Sequence, residues 1–357
     1  MKNIGYCILI ICIVVIAIPL IILNGVGQGS AFKFIANPGG VSTFEKDQKL
    51  ASRSGSPISN DSLSGGIKIK VFDVSAKKAV EMDLEEYIRG VVCAEEPVGF
   101  EAEALKAQAV AARTYAVTRM LQFGGKGCSN HPGTDICTDS HHCQAWISKE
   151  NRFKSWGVDA PKYWKKITEA VNATKGLILT YDAAPVMYPL FFSTSSGKTE
   201  NSGEVFSTQY PYLRSVVSPD EESAPKFVSK ATFSRSDVVN KFRTSQYKIK
   251  LDKGKLQSQI KILSRTEGGS VKNIKVGTKT LTGTEIRTLF NLNSSNFNIS
   301  FGKNDVTFSV TGYGHGVGMS QWGANAMAKQ GKKYDEILKH YYIDVGISSI
   351  QNVYKAK

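Results

Sequence analysis

Hydrophobic and polar positions along this chain fall into three regimes. Tyr6–Leu23, YCILIICIVVIAIPLIIL, is apolar throughout and carries no charge, which is long enough for a helix to span a bilayer. Residues 24–66 show no sustained apolar period and gather Gly, Ser, Asn and Lys, as in SRSGSPISNDSLSGG, the composition of a flexible linker. From Ile67 the pattern is that of a folded body. IKIKVFDV alternates as a strand does, and KKAVEMDLEEYIRGVV reads as a turn, a second strand and a short helix. Leu105, Ala109, Ala112, Tyr115, Ala116 and Leu121 then recur at helical spacing. They predict a long alanine-rich helix with one apolar face, ended by Gly124-Gly125.

The later chain alternates in the same way. Pro161–Thr174 predicts an amphipathic helix stopped by Lys175-Gly176, and GLILTYDAAPVMYPLFFSTSSG a strand pair. KATFSRSDVVNKFR predicts a strand and helix, and QIKILSRTEGGSVKNIKV a hairpin. LTGTEIRTLFNL predicts a short helix with Thr284 as its cap, and LKHYYIDVGI a closing helix. Together these elements predict an α+β fold: a long Ala-rich helix surrounded by short strands and hairpins, with a smaller α/β lobe, behind a single N-terminal transmembrane helix.

Charge narrows the neighbours. The 357 residues carry a formal net charge of +14, which suits a polyanion: nucleic acid, an anionic membrane surface or acidic cell-wall polymers. The apolar run decides among these. Lys2 and the amino terminus precede it, favouring an amino end inside the cell. The run exceeds the roughly 7–15 residues of a signal-peptide core, and no small-x-small cleavage pattern follows at once. It reads as an uncleaved anchor with the rest of the chain outside the cytoplasm, which excludes nucleic acid as a partner.

Three clusters carry candidate chemistry. Glu95 and Glu96 lie between an apolar run and Pro97, which favours extended backbone at Glu96. HPGTDICTDSHHC supplies His131, Cys137, His142 and Cys143, two imidazoles and two thiols that suit a tetrahedral zinc ion. The spacing is not that of a zinc finger. A Cys137–Cys143 disulfide is the alternative outside the cytoplasm, and His141 competes with His142. Gly312–Ala324, GYGHGVGMSQWGA, places His315 among glycines that allow close backbone approach to a ligand, with Ser320 and Gln321 following. FFSTSSGKTEN, Phe191–Asn201, gathers small hydroxyls after a predicted strand.

LEEYIRGVVCAEEP with EALKAQAVAARTYA, the CTDxxHCQAW wording, FSTSxGxTEN, YPYLRSVVSPDE and GHGxGMSQxGA resemble the stage II sporulation protein D family. These are peptidoglycan lytic transglycosylases of spore-forming bacteria. The resemblance spans about residues 67–354. It implies that Glu95 is the general acid/base, with Glu96 standing where the family has methionine. It implies a sugar cleft lined by Tyr188, Ser193, Ser195, Thr199, His315, Ser320 and Gln321. It also implies a Zn2+ ion on His131, Cys137, His142 and Cys143, structural because four protein ligands leave no open position. The implied reaction cleaves the MurNAc-GlcNAc β-1,4 bond of peptide-stripped glycan strands to 1,6-anhydroMurNAc ends during engulfment, at the mother-cell membrane. Stage II sporulation proteins P and M are the implied partners.

The expected layout is a cytoplasmic tail at 1–5, an anchor at 6–23 and a linker at 24–66. A catalytic body with the zinc loop follows at 67–221, a supporting lobe at 222–305, and a segment completing the catalytic body at 306–357. Two other classes fit parts of the sequence. One is a zinc amidase or thiol peptidase built on the cysteines, and the other a non-catalytic wall-binding module that enhances an amidase. Glu200 and Glu204 are the other carboxylates near the expected cleft.

Overall fold

The computed structural model describes residues 66–206 and 208–355. The expected tail and anchor, and all but Gly66 of the expected linker, lie outside the described residues. Within them, no helix is long and apolar enough to cross a membrane.

The fold is α+β. β1 (Lys68–Asp73) and β2 (Lys78–Asp83) form an antiparallel hairpin. Asp83 caps α1 (Leu84–Glu95) by accepting from the backbone N–H groups of Glu85 and Glu86. Glu96 follows in extended backbone (φ −123°, ψ 146°), as Pro97 requires of the residue before it. α2 (Ala102–Val117) is the alanine-rich helix. It is buried on every side, where the sequence pattern suggests one face. Alanines at 104, 107, 109, 111, 112 and 116 are buried around its circumference, so α1 and several later elements close on it at once. The helix ends at Thr118, short of Leu121, and Met120 leaves helical backbone for an extended conformation (φ −62°, ψ 127°). Gly124, in left-handed backbone, instead closes the 3-10 turn Leu121–Phe123.

β3 (Ile136–Cys137) pairs parallel with β1. α3 (Lys149–Trp156) and α4 (Ala160–Ala173) follow, and β4 (Leu177–Tyr181) turns back into β5 (Ala184–Pro185). One fully buried ion pair ties this half together. Arg113 of α2 meets Glu85 of α1 at 2.6 and 2.9 Å and donates to the Leu177 carbonyl, while Glu85 accepts the Gly176 N–H.

β6 (Phe191–Phe192) and α5 (Ser202–Val205) lead to a second apolar core. It is built from β7 (Val228–Ser234), α6 (Arg235–Thr244), α7 (Leu256–Gln259), β8 (Ile260–Arg265), β9 (Val271–Val276), β10 (Lys279–Thr282), α8 (Gly283–Phe290), β11 (Phe297–Phe301) and β12 (Asp305–Thr311). The cap of α8 is Thr282, in a capping box with Glu285, two residues before the expected Thr284. β12 pairs with both β11 and β7, so this core closes at Thr311.

The chain then returns to the first core. β13 (Met319–Ser320) pairs parallel with β6. α9 (Gln321–Lys329) and α10 (Tyr334–Tyr341) pack on α2, β14 (Gly346–Ser349) joins β4, and α11 (Ile350–Lys355) ends the described chain. The 67–221 and 312–354 segments share one hydrophobic core.

Candidate active site and metal cluster

Glu95 is the last residue of α1, and two segments distant in sequence meet it. Its Oε1 accepts the Ala145 N–H at 3.0 Å, and its backbone carbonyl accepts Gln321 Nε2 at 3.2 Å. Its Oε2 has no protein partner. The side chain is 5% exposed, and burial pushes its carboxyl up to about 8 against the two hydrogen bonds. Glu95 is therefore protonated at neutral pH. Glu96 is 2% exposed and neither carboxyl oxygen has a protein partner. Burial first, and the charge of Glu95 second, push Glu96 well above the usual carboxylate range. Both carboxyls are thus held above the usual carboxylate range, and only Glu95 has a protein hydrogen-bond donor on its carboxyl group.

The turn after Glu95 is held by the start of α9. Phe100 packs edge-on against Trp322 at 4.9 Å, and the Glu101 N–H donates to Asn325. The same helix start reaches the Phe191–Asn201 segment: the Trp322 N–H donates to the Ser193 carbonyl at 3.1 Å. Gly318 makes the crossing possible. It adopts φ +81°, and a Cβ there would collide with the Leu190 carbonyl.

The residues expected to face sugar divide. Tyr188, Ser193 and His315 are half-buried. Three other hydroxyls turn inward. Thr199 is fully buried, accepting the Val216 N–H and donating to the Arg214 carbonyl. Ser195 accepts the Gly197 N–H, and Ser320 donates to Glu221 at 2.6 Å. Gln321 is also buried, engaged with Glu95. Thr199, Ser195, Ser320 and Gln321 therefore shape the site from within. His315 is wedged between Phe192 and Phe206. Burial and then the charge of Arg287 bring its pKa to about 3, so it is neutral. Its Nδ1 accepts the Val317 N–H at 3.1 Å.

Glu200 and Glu204 tie the two cores together. The Glu200 Oε1 accepts the Ser270 N–H at 3.1 Å, and Glu204 pairs with Lys272 at 3.0 Å. Sequence reasoning missed Glu221, whose buried carboxyl gathers Ser195, Ser218 and Ser320. It stands at the end of the YPYLRSVVSPDE stretch, and no local pattern separates it from an exposed acid.

The cysteine cluster differs from the expected set by one residue. The ligand atoms of Cys128, Cys137, His142 and Cys143 all lie within 4.8 Å of one another. His142 Nδ1 is 3.5 Å from the sulfurs of Cys128 and Cys137 and 3.2 Å from that of Cys143. Tetrahedral metal–sulfur and metal–nitrogen bonds of about 2.3 and 2.1 Å set S···N edges of roughly 3.6 Å, so this donor set fits a metal ion. His142 Nε2 meets the Ser129 hydroxyl at 2.9 Å, which leaves Nδ1 free to ligate. His131 is outside the cluster, stacked on Phe72 with ring centroids 3.8 Å apart. The chain turns between the two: the Cys128 N–H donates to the Thr134 carbonyl, which brings Cys128 inward. His141 bonds Asp139 at the surface, and all four described cysteines are free thiols.

The cluster feeds directly into the site. Gln144 donates to the Ala112 carbonyl of α2, Ala145 donates to Glu95, and the Ile147 N–H donates to the Gly90 carbonyl of α1. Pinning Cys143 therefore fixes the donor that grips Glu95.

The comparisons with known proteins agree with this arrangement. The sequence model of the stage II sporulation protein family SpoIID matches residues 73–181, the stretch holding Glu95 and the cysteine cluster. Stage II sporulation protein D of Bacillus subtilis is 34% identical and that of Bacillus amyloliquefaciens 36% identical, each over the whole of both chains. The amidase enhancer of Bacillus subtilis is 27% identical over 73% of this chain and 40% of its own. Two full-length matches above 30% identity are decisive: the chain belongs to the stage II sporulation protein D family.

Proposed function

We propose that this sporulation protein is a peptidoglycan lytic transglycosylase with Glu95 as its general acid and then base. The observation that carries the reading is the state of Glu95. It is a buried acid, protonated at neutral pH, with one oxygen gripped by Ala145 and the other unengaged. The nearby Glu96 is likewise held neutral, by burial and then by the charge of Glu95. Two-carboxylate glycosidases pair a protonated acid with an ionised base or nucleophile. Here Glu96 does not supply the ionised partner, and Glu221 is committed to internal donors.

One acid suffices for transglycosylation. Glu95 donates its proton to the glycosidic oxygen as the MurNAc C1–O bond breaks. The resulting carboxylate takes the proton of the muramic C6 hydroxyl as that oxygen attacks C1, closing the 1,6-anhydro ring. No water enters the product. Tyr188 and Ser193 are the side chains best placed to meet sugar, and the neutral His315 holds the glycine-rich loop. A structural Zn2+ on Cys128, Cys137, His142 and Cys143 would clamp the Ala145 loop; a closed ligand set supplies no activated water. In this reading the chain works on peptide-stripped glycan outside the membrane during engulfment, with stage II sporulation proteins P and M.

The test is digestion of peptide-stripped glycan strands by the full chain and by its Glu95→Gln and Glu96→Gln variants. Wild type and Glu96→Gln release anhydro-muramic ends, and Glu95→Gln does not. Activity kept by Glu95→Gln and lost by Glu96→Gln would move the acid. Release of nothing by any of them, with glycan still bound, would favour an amidase-enhancing binding role like that named for the Bacillus subtilis relative.

A further inference from the structure

Glu221 is 1% exposed. Its Oε2 accepts the Ser195 N–H at 2.7 Å and the Ser320 hydroxyl at 2.6 Å. Its Oε1 accepts the Ser218 hydroxyl at 2.5 Å, and Ser218 lies 2.6 Å from the Tyr341 hydroxyl. Four segments thus converge on one carboxyl group: the Phe191–Asn201 loop, the loop carrying Glu221 itself, the cap of α9, and α10. The arrangement is built closely. A Cβ at Gly323 would collide with the Tyr341 hydroxyl, the Ser218 hydroxyl and Glu221 Oε1.

The residues bonded to Glu221 are one step from the acid. Ser320 precedes Gln321, which donates to the Glu95 carbonyl, and Trp322, which bonds Ser193 and packs on the Phe100 turn. We propose that Glu221 is a positioning residue: through Ser320–Gln321 and Ser195 it sets the place of Glu95 relative to the hydroxyl-rich loop. This deepens the transglycosylase reading and rests on it for its consequence in catalysis, although the geometric claim stands by itself.

Charge state matters here. As a carboxylate, Glu221 accepts all three donors. Protonated, one oxygen turns donor and faces the Ser195 N–H or a hydroxyl already committed. The groups facing it are the Ser195 N–H, the Ser218 and Ser320 hydroxyls and the Tyr341 phenol, with the exposed Glu222 next in the chain. Burial, against these hydrogen bonds, brings Glu221 to about 7. Glu221 therefore ionises as pH rises toward the value at which Glu95 begins to lose its proton. The positioning role uses the ionised form of Glu221, which accepts all three donors, beside a protonated Glu95.

The experiment has two readouts on the full chain. The first is independent of turnover. The side-chain amide signals of Gln321, assigned by their loss in Gln321→Leu, are followed by NMR against pH. They move with a midpoint near 7 in wild type and lose that transition in Glu221→Gln. Gln321 signals that titrate alike in both proteins would overturn the proposal, whatever the protein's activity. The second readout is the pH–rate profile on glycan strands. Glu221→Gln loses the acidic limb and falls about tenfold or more in kcat with little change in KM, and Glu221→Asp restores part of the rate. If Glu221→Gln does not fold, Ser320→Ala takes its place, and a folded Ser320→Ala within twofold of wild-type kcat would overturn the proposal. A wild-type chain that releases no anhydro ends would sink the transglycosylase reading alone, and the NMR titration would still decide the role of Glu221.

Discussion

Glu95 and Glu96 are adjacent in sequence and both buried, yet their oxygens meet different surroundings. The Ala145 N–H and Gln321 amide reach Glu95, and no protein donor reaches Glu96. In the proposed reading that difference gives the first the chemistry and the second a desolvation cost. Glu95→Gln is expected to lower anhydro-end release by about 100-fold or more while leaving the fold intact, read by product assay beside a melting curve. Glu96→Met removes a desolvated carboxyl with no partner. It is expected to stabilise the chain by about 1–3 kcal/mol, raising the melting temperature by several degrees. A lower melting temperature would show that Glu96 has a partner the structure does not show. Glu95 was legible only through the family resemblance of LEEYIRGVVCAEEP, since two acids before a proline by themselves read as a solvated loop. The burial of Glu96 was not, since it depends on packing by segments far along the chain.

The elements around the site show why some predictions stop short. Helical period located α2 but not its depth, because the closing neighbours come from residues 160–181 and 321–341. Arg113 illustrates this: a charge on a helix reads as exposed, and here it is fully buried on Glu85. Arg113→Met leaves Glu85 buried without its partner and is expected to cost about 3–5 kcal/mol, measurable by denaturant melts. The cysteine loop teaches the same lesson at shorter range. A window from His131 to Cys143 contains enough donors for zinc, so spacing alone gave no reason to look back to Cys128. The turn at 128–134 brings Cys128 in and leaves His131 on Phe72. Metal analysis of purified variants separates the sets. Cys128→Ser is expected to lose bound metal, and His131→Ala to keep it at one ion per chain. Metal removal is expected to lower activity by loosening the Ala145 grip on Glu95.

At the scale of the whole molecule, two apolar cores are joined across Glu200–Ser270, Glu204–Lys272 and Asn296–Ser196. The alternating strands and short helices of the second core were legible because each is locally patterned. Its union with the first was not, because the carboxylates that make it look like cleft residues in sequence. Buried acids also give the molecule a pH dependence. Glu95, Glu96, Glu200 and Glu221 all hold protons in the folded state that the unfolded chain releases above about pH 4.5. Their stabilising contribution is full below that value and is lost as pH rises through about 7 and 8, the folded values of Glu221 and Glu95. The melting temperature is therefore expected to fall across that window, with a shallower slope in Glu96→Met. The central claim remains that Glu95 closes an anhydro ring without admitting water. Mass spectrometry of glycan products formed in heavy-oxygen water tests it most directly. The account predicts anhydro-muramic ends carrying no solvent oxygen. Reducing ends labelled with one heavy oxygen would mean hydrolysis and would contradict it.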